Sequence, residues 1–150
     1  MKNRGFEKIT EYAEDAGVKI PIRGTEKSAG YDLSATKDVV IHPNEMVLVP
    51  TGLKAYMKKD EFLALYIRSS IAVKHNVGLA NSVAVIDGDY YNNPDNEGHI
   101  LLPLYNYSKK AFAIKKGERV AQGVFHKYLT VDGDDAKGSR KGGIGSTGKS

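Results

Sequence analysis

The chain of 150 residues contains no cysteine. That absence excludes a disulfide framework, a thiolate metal site and a cysteine nucleophile. Apolar runs are only a few residues long, far short of the ~20 needed to span a bilayer. The opening stretch, Met1 to Gly17, carries charge but no apolar segment of the kind a secretory signal requires. The histidines, His42, His75, His99 and His126, lack zinc-ligand spacing. Acidic residues are missing from the end of the chain: none follows Asp135, whereas Lys137, Arg140, Lys141 and Lys149 do. The other 18 basic residues balance the 18 acidic ones, so the formal net charge of +4 resides wholly in residues 137–150. A broad basic face for duplex nucleic acid is therefore excluded, because such binding needs many phosphate contacts along one surface. A local cationic tail suits a small, multiply charged anion. The expectation is a soluble cytoplasmic protein with no direct nucleic-acid or membrane binding.

What is present is a succession of short strand-like runs. They span Val18–Ile22, Val39–His42, Met46–Pro50, Gly52–Tyr56, Phe62–Ile67, Ser82–Ile86, Ile100–Tyr105, Ala111–Ile114 and Val120–Leu129. Turn-forming clusters such as His42-Pro43-Asn44 and Asn92-Asn93-Pro94 separate them. This pattern predicts an all-β sandwich or barrel. Pro103 inside its run predicts an edge or bulged strand, because proline cannot donate to a ladder. Phe6, Ile9 and Ala13 would share one face of an N-terminal helix stopped by Gly17. Ser69–His75 suits one or two helical turns capped by Ser69 or Ser70. Residues 1–136 read as one β domain. The segment after them is rich in glycine, holds one bulky aliphatic residue, Ile144, and is expected to be mobile.

Several constellations could carry chemistry. Gly143-Ile144-Gly145-Ser146-Thr147-Gly148-Lys149-Ser150 spells the phosphate-loop pattern letter for letter. That loop works between a buried strand and a helix; here a charged, glycine-rich stretch precedes it and Ser150 is the last residue, so an ATPase loop is not expected. Glycine amides, the hydroxyls of Ser146 and Thr147 and the planar fork of Arg140 could still meet phosphate. Asp87-Gly88 between two strand-like runs reads first as a type I′ hairpin turn. A carboxylate held at a strand end also suits a general base. Arg68-Ser69-Ser70, leaving an apolar strand, reads either as a phosphate cradle or as a plain helix cap beside a surface arginine. Asp32, between apolar neighbours, could cap a turn or serve a hard cation.

Taken in order, Ala29-Gly30-Tyr31-Asp32-Leu33, Arg68-Ser69-Ser70, Val85-Ile86-Asp87-Gly88-Asp89-Tyr90, Gly117-Glu118-Arg119-Val120-Ala121-Gln122 and Gly142-Gly143-Ile144-Gly145-Ser146-Thr147-Gly148 cover nearly the whole chain. The set resembles the five motifs of the trimeric dUTPases. That resemblance implies a jelly-roll-like, all-β subunit and a homotrimer with three shared active sites. Residues 137–150 would form an arm that closes over a site. The reaction implied is dUTP plus water to dUMP and pyrophosphate, which limits uracil in DNA and supplies dUMP for dTMP synthesis. Asp87 would orient and deprotonate the water, and Gln122 would help hold the water or the phosphates. Asp32 would support Mg²⁺ through its water shell. Arg68, Ser69 and Ser70 would ligate the phosphate chain. Asn81 and the backbone as far as Val85 would read the uracil edge, and Tyr90 would lie against the deoxyribose. From the arm, Arg140, Gly143, Ile144, Gly145, Ser146 and Thr147 would contact substrate.

The chain also departs from that pattern. Ile144 stands where many members carry a base-stacking Phe, which makes Tyr91 a candidate replacement. Arg140 lies one residue closer to its Gly-Gly pair than is common. The stretch Tyr91 to Gly98 forms a longer polar loop that a protein partner could recognise, which supports an alternative reading as a regulatory binding protein. A dCTP deaminase shares the fold and an Arg-Ser-Ser segment but needs a carboxylate at the pyrimidine C4. Asn81–Ile86 offers none.

Overall fold

The computed structural model describes residues 2–138, 140 and 142–144. Eleven strands and one short α-helix make an all-β, jelly-roll-like fold. The strands are β1 Gly5–Lys8, β2 Tyr31–Ser34, β3 Val39–Ile41, β4 Met46–Pro50, β5 Leu53–Tyr56, β6 Glu61–Ile67, β7 Val77–Leu79, β8 Ala84–Ile86, β9 Leu101–Asn106, β10 Phe112–Ile114 and β11 Arg119–Lys127. Helix α1, Ser69–His75, follows β6. All pairings are antiparallel. They give a four-stranded sheet β2-β11-β6-β8, a three-stranded sheet β4-β9-β7, and the pairs β1-β5 and β3-β10.

Alternation explains the core. In β6, Leu63 and Leu65 turn inward and are fully buried, while Phe62 and Tyr66 stand opposite His126 and Gln122 of β11 on the other face. Leu33, Leu63, Leu65 and Val120 from the four-stranded sheet join Val49, Val77, Leu102 and Leu104 from the three-stranded sheet in one cluster. Each such side chain contributes on the order of 1.5–3 kcal/mol on leaving water. That shared cluster holds the two sheets together and makes the four-stranded sheet a rigid platform.

Four local expectations give way to tertiary context. The first is Val18–Ile22, which forms no strand. Val18 is buried, but Ile20 and Ile22 are 48% and 76% exposed, Pro21 cannot donate, and pairing reduces to an isolated bridge between Arg23 and Tyr31. At the N-terminus, Gly5–Lys8 pairs with β5 instead of coiling, which leaves only a 3₁₀ turn at Thr10–Tyr12. Phe6 and Ile9 are buried as the helical reading required, but through a strand and the residue after it.

Pro103 lies in β9, the middle strand of its sheet, not at an edge. It is tolerated because β7 ends at Leu79, opposite Leu104. Beyond that point Ala80 N still donates to Pro103 O at 2.7 Å, so the missing N–H falls where the ladder has already stopped. Finally, Asp87-Gly88 is not a type I′ hairpin turn. The chain passes from β8 into a 3₁₀ turn, Gly88–Tyr90, with Asp87 in extended conformation at its head.

Candidate active site

The first group of side chains gathers where β2, β11 and the end of β6 meet. Asp32 and Gln122 are direct cross-strand partners, so both project from the same face about 5 Å apart at Cβ. Gly30 makes room for Gln122: a Cβ there would lie 2.3 Å from Gln122 Oε1 and 3.0 Å from Gln122 Cβ. Arg119 Nη1 reaches Asp32 Oδ2 at 3.2 Å. The carbonyl of the same Arg119 accepts from Arg68 Nη1 at 3.3 Å, and Arg68 N donates to Val120 O at 3.1 Å. Arg119 thus ties the Asp32 carboxylate to the Arg68 guanidinium. Arg68 occupies the N-cap position of α1 and makes no side-chain capping bond. Ser69 and Ser70 are not the cap; they lie within the first turn and are exposed.

The second group lies at the far end of β8. Val85 is exposed, as are Asn81 and, just past the strand, Asp87. Tyr90 is only 5% exposed. Its hydroxyl donates to the His99 carbonyl at 2.6 Å and accepts from Asn96 Nδ2 at 2.9 Å. Burial raises the Tyr90 phenol above its ordinary range, so the ring is a neutral, fixed wall. Arg140 meets this group from its own chain: Nη2 lies 2.7 Å from Asp87 Oδ2 and Nε lies 2.9 Å from Asp89 Oδ1. Its guanidinium stands 5.7 Å from the Tyr90 ring centre. Gly143 N donates to Asp95 Oδ2 at 3.1 Å, and Ile144 is exposed. Gly145, Ser146 and Thr147 lie outside the described residues.

Tyr91 is held against the body of the protein. Its hydroxyl donates to Glu7 Oε1, its ring meets Tyr56 edge-on, and Lys54 Nζ stands over it at 5.1 Å. The loop after it is equally tied down: Lys54 Nζ binds Glu97 at 2.7 Å and Asn92 Oδ1 at 2.6 Å, and Thr10 N donates to Glu97 at 3.1 Å. Tyr91 therefore takes part in the anchorage of the loop.

The two groups share one sheet but do not touch. Leu63 of β6 pairs with Ile86, which sets Asp87 level with Phe62, and Arg68, just past the end of β6, comes six residues further along. At about 3.4 Å per residue this is roughly 20 Å. Asp87 and Arg68 of one chain therefore stand at opposite ends of β6 and make no contact with each other.

Sequence motifs alone did not single out Arg119, Asp89, Asp95 or the Asn93–Asn96 pair. Arg119 is visible inside Gly117–Gln122 and Asp89 inside Val85–Tyr90, and the others only as a run of polar letters. Among the described residues, no cluster of three or more His, Asp or Glu could cage a metal. No helix among them is long and apolar enough to cross a membrane. The lone Asp32 carboxylate, beside a phosphate-type cradle, fits a hydrated Mg²⁺ that keeps most of its waters.

A family model described as dUTPase matches residues 16–148. The deoxyuridine 5'-triphosphate nucleotidohydrolase of Lactococcus lactis subsp. lactis (strain IL1403) is 54% identical over 150 residues, which cover 99% of each chain. The crystal structure of dUTPase from Streptococcus mutans superposes with a TM-score of 0.81 at 50% identity, covering 86% of this chain and 99% of that one. A dUTPase structure from phage phi11 of S. aureus, which details coordination of a structural Mg(II) ion, shares the fold: TM-score 0.73, 16% identity, 91% of this chain and 98% of that one.

Proposed function

Because the chain belongs to the dUTPase family, we propose that it hydrolyses dUTP to dUMP and pyrophosphate by in-line attack of water at the α-phosphorus. A bond forms between the water oxygen and the α-phosphorus, the bond to the bridging oxygen of the pyrophosphate breaks, and the water's proton passes to Asp87. The observation that carries this reading is the single sheet β2-β11-β6-β8. It bears Asp32 on β2, Gln122 on β11, Arg68–Ser70 at the end of β6, and Val85 and Asp87 on and just after β8.

In this mechanism Arg68, Ser69 and Ser70 neutralise charge gathering on the pyrophosphate. Gln122, held by Gly30 and the Asp32 pairing, positions the water or the phosphates. Asn81 and the backbone to Val85 read the uracil edge, and Tyr90 lies against the deoxyribose, where it excludes a 2′-hydroxyl. Asp32 would hold Mg²⁺ through water, and the ion would supply further charge neutralisation on the triphosphate. The family resemblance implies a homotrimer, in which the working site would be assembled between copies and the Asp87 of one chain, roughly 20 Å along the sheet from its own Arg68, would meet the Arg68 group of a neighbour. Residues 137–150 are the arm, with Arg140, Gly143, Ile144, Gly145, Ser146 and Thr147 closing on substrate. Arg140, paired here with Asp87 and Asp89 of its own chain, would exchange those carboxylates for phosphate. The compartment that fits this substrate is the cytoplasm.

The test is pyrophosphate release from dUTP and Mg²⁺ by the wild type and by Asp87→Asn. The variant should bind a non-hydrolysable dUTP analogue yet lose at least ~10²-fold in turnover, the scale of general-base catalysis. Undiminished turnover in the variant would remove Asp87 from the base role.

A further inference from the structure

The loop Tyr91–Gly98 is a bonded frame built around Tyr90. Asn93, 4% exposed, donates from Nδ2 to the Tyr90 carbonyl at 2.7 Å and to Asn96 Oδ1 at 2.8 Å. Its Oδ1 accepts from the amides of Asp95 and Asn96 at 3.0 and 3.1 Å. Asn96 Oδ1 also accepts from Gly98 N at 3.0 Å, which leaves Asn96 Nδ2 to donate to the Tyr90 hydroxyl at 2.9 Å. The two asparagines thus hold Tyr90 at both ends, one by its carbonyl and the other by the tip of its ring. Gly98, at φ +91°, completes the frame, since a Cβ there would lie 2.7 Å from Tyr90 O. The frame is fastened to the body through the contacts of Lys54 and Thr10 with Glu97.

A steric wall discriminates only if it cannot retreat. Rejecting one extra hydroxyl by shape requires the wall to hold its place to well under 1 Å. A tyrosine anchored only at its backbone can swing about two side-chain torsions; fixing the hydroxyl removes that freedom. We infer that Asn96, backed by Asn93, is a positioning residue for Tyr90 and through it sets the enzyme's discrimination between deoxyribonucleotide and ribonucleotide. This rests on the reading of Tyr90 as the group lying against the deoxyribose. It gives the polar loop a specificity role within the enzyme.

The test compares kcat/KM for dUTP and UTP in the full chain for Asn96→Ala, Asn96→Asp, Tyr90→Phe, Tyr90→Ala and the double variant Asn96→Ala/Tyr90→Phe. Asn96→Asp retains the acceptor for Asn93 and Gly98 but sets a carboxylate against the Tyr90 oxygen, whose single O–H must then leave either that carboxylate or the His99 carbonyl unpaired, so it perturbs the Tyr90 contact even if the alanine variant disorders the loop. In both Asn96 variants the dUTP-to-UTP preference should fall about fivefold, the scale of one net hydrogen bond. In the Tyr90→Phe background, Asn96→Ala should bring no further fall, because the contact is already gone. An unchanged preference in Asn96→Ala, or additive losses in the double variant, would overturn the inference. If Tyr90→Ala itself leaves the preference unchanged, the sugar-facing reading of Tyr90 fails, and the inference with it.

Discussion

Replacing Gly30 by alanine adds one methyl group in the tightest place on the candidate site. The new Cβ would sit 2.3 Å from Gln122 Oε1, 3.0 Å from Gln122 Cβ and 3.1 Å from Gln122 Cδ. The amide end can swing away, but the Cβ cannot. Gln122 lies in β11 with Asp32 paired on one side and Tyr66 on the other, so its backbone is clamped between two strands. Relief requires Gln122 to adopt another rotamer and β2 to move slightly off β11. Overpacking of this kind costs about 1–3 kcal/mol, or roughly 3–10 °C in Tm for a chain of this size. Displacing the Gln122 amide by about 1 Å should lower kcat by up to ~10²-fold. The assay is paired: thermal unfolding, and steady-state pyrophosphate release from dUTP. Gln122→Ala in the Gly30→Ala background removes the amide end, Oε1 and Cδ, but keeps the Cβ at 3.0 Å, so it should recover part of the lost Tm while leaving activity low. If Gly30→Ala loses stability but keeps kcat within twofold of wild type, Gln122 is not a positioned functional group. If the double variant is no more stable than Gly30→Ala, the amide end of Gln122 is not what the methyl meets.

Two further outcomes are expected. His99 accepts the Gly52 amide on Nε2 at 2.9 Å, and burial holds its imidazole below the ordinary range. The unfolded chain therefore takes up the proton first. The stability from neutral His99 is fully present above about pH 6.5 and declines as pH falls through the lower folded value. Glu7, Glu61 and Glu97, lowered mainly by bonds from Tyr91, Arg4 and Lys54 respectively, lose their contributions only below the ordinary carboxylate range, so the windows separate. A His99→Gln variant keeps an acceptor without titrating and should flatten the Tm-versus-pH curve as pH falls below about 6.5; an unchanged slope would refute the assignment. On the proposed homotrimer with shared sites, light scattering of the purified chain should give three chain masses. A fully active monomer would overturn the shared-site reading.

The elements legible in the sequence are those whose evidence is local. β4, β6 and β11 are runs of five to nine residues rich in Val, Leu, Phe or Tyr, and α1 opens on a serine pair just after an apolar strand. Pattern and propensity act within a few residues, so such segments announce themselves. The motifs around Asp32, Arg68, Asp87 and Gln122 were legible for the same reason, as short strings of letters. Missed elements needed a distant partner. Gly5–Lys8 became a strand only because Leu53–Tyr56 lies beside it, and β2 and β7 are too short to show a period of their own.

By itself the sequence determined that this is a cysteine-free, strand-built chain with five ordered motifs and its charge excess confined to a tail. Those are properties of composition, local periodicity and order along the chain. The tertiary structure decided that Asp32 and Gln122 are cross-strand partners, that Arg119 links Asp32 to Arg68, that two asparagines frame Tyr90, and that Asp87 stands at the opposite end of β6 from Arg68. Strand register sets those distances. It comes from burying side chains on a common core across tens of residues, which no local stretch of letters encodes.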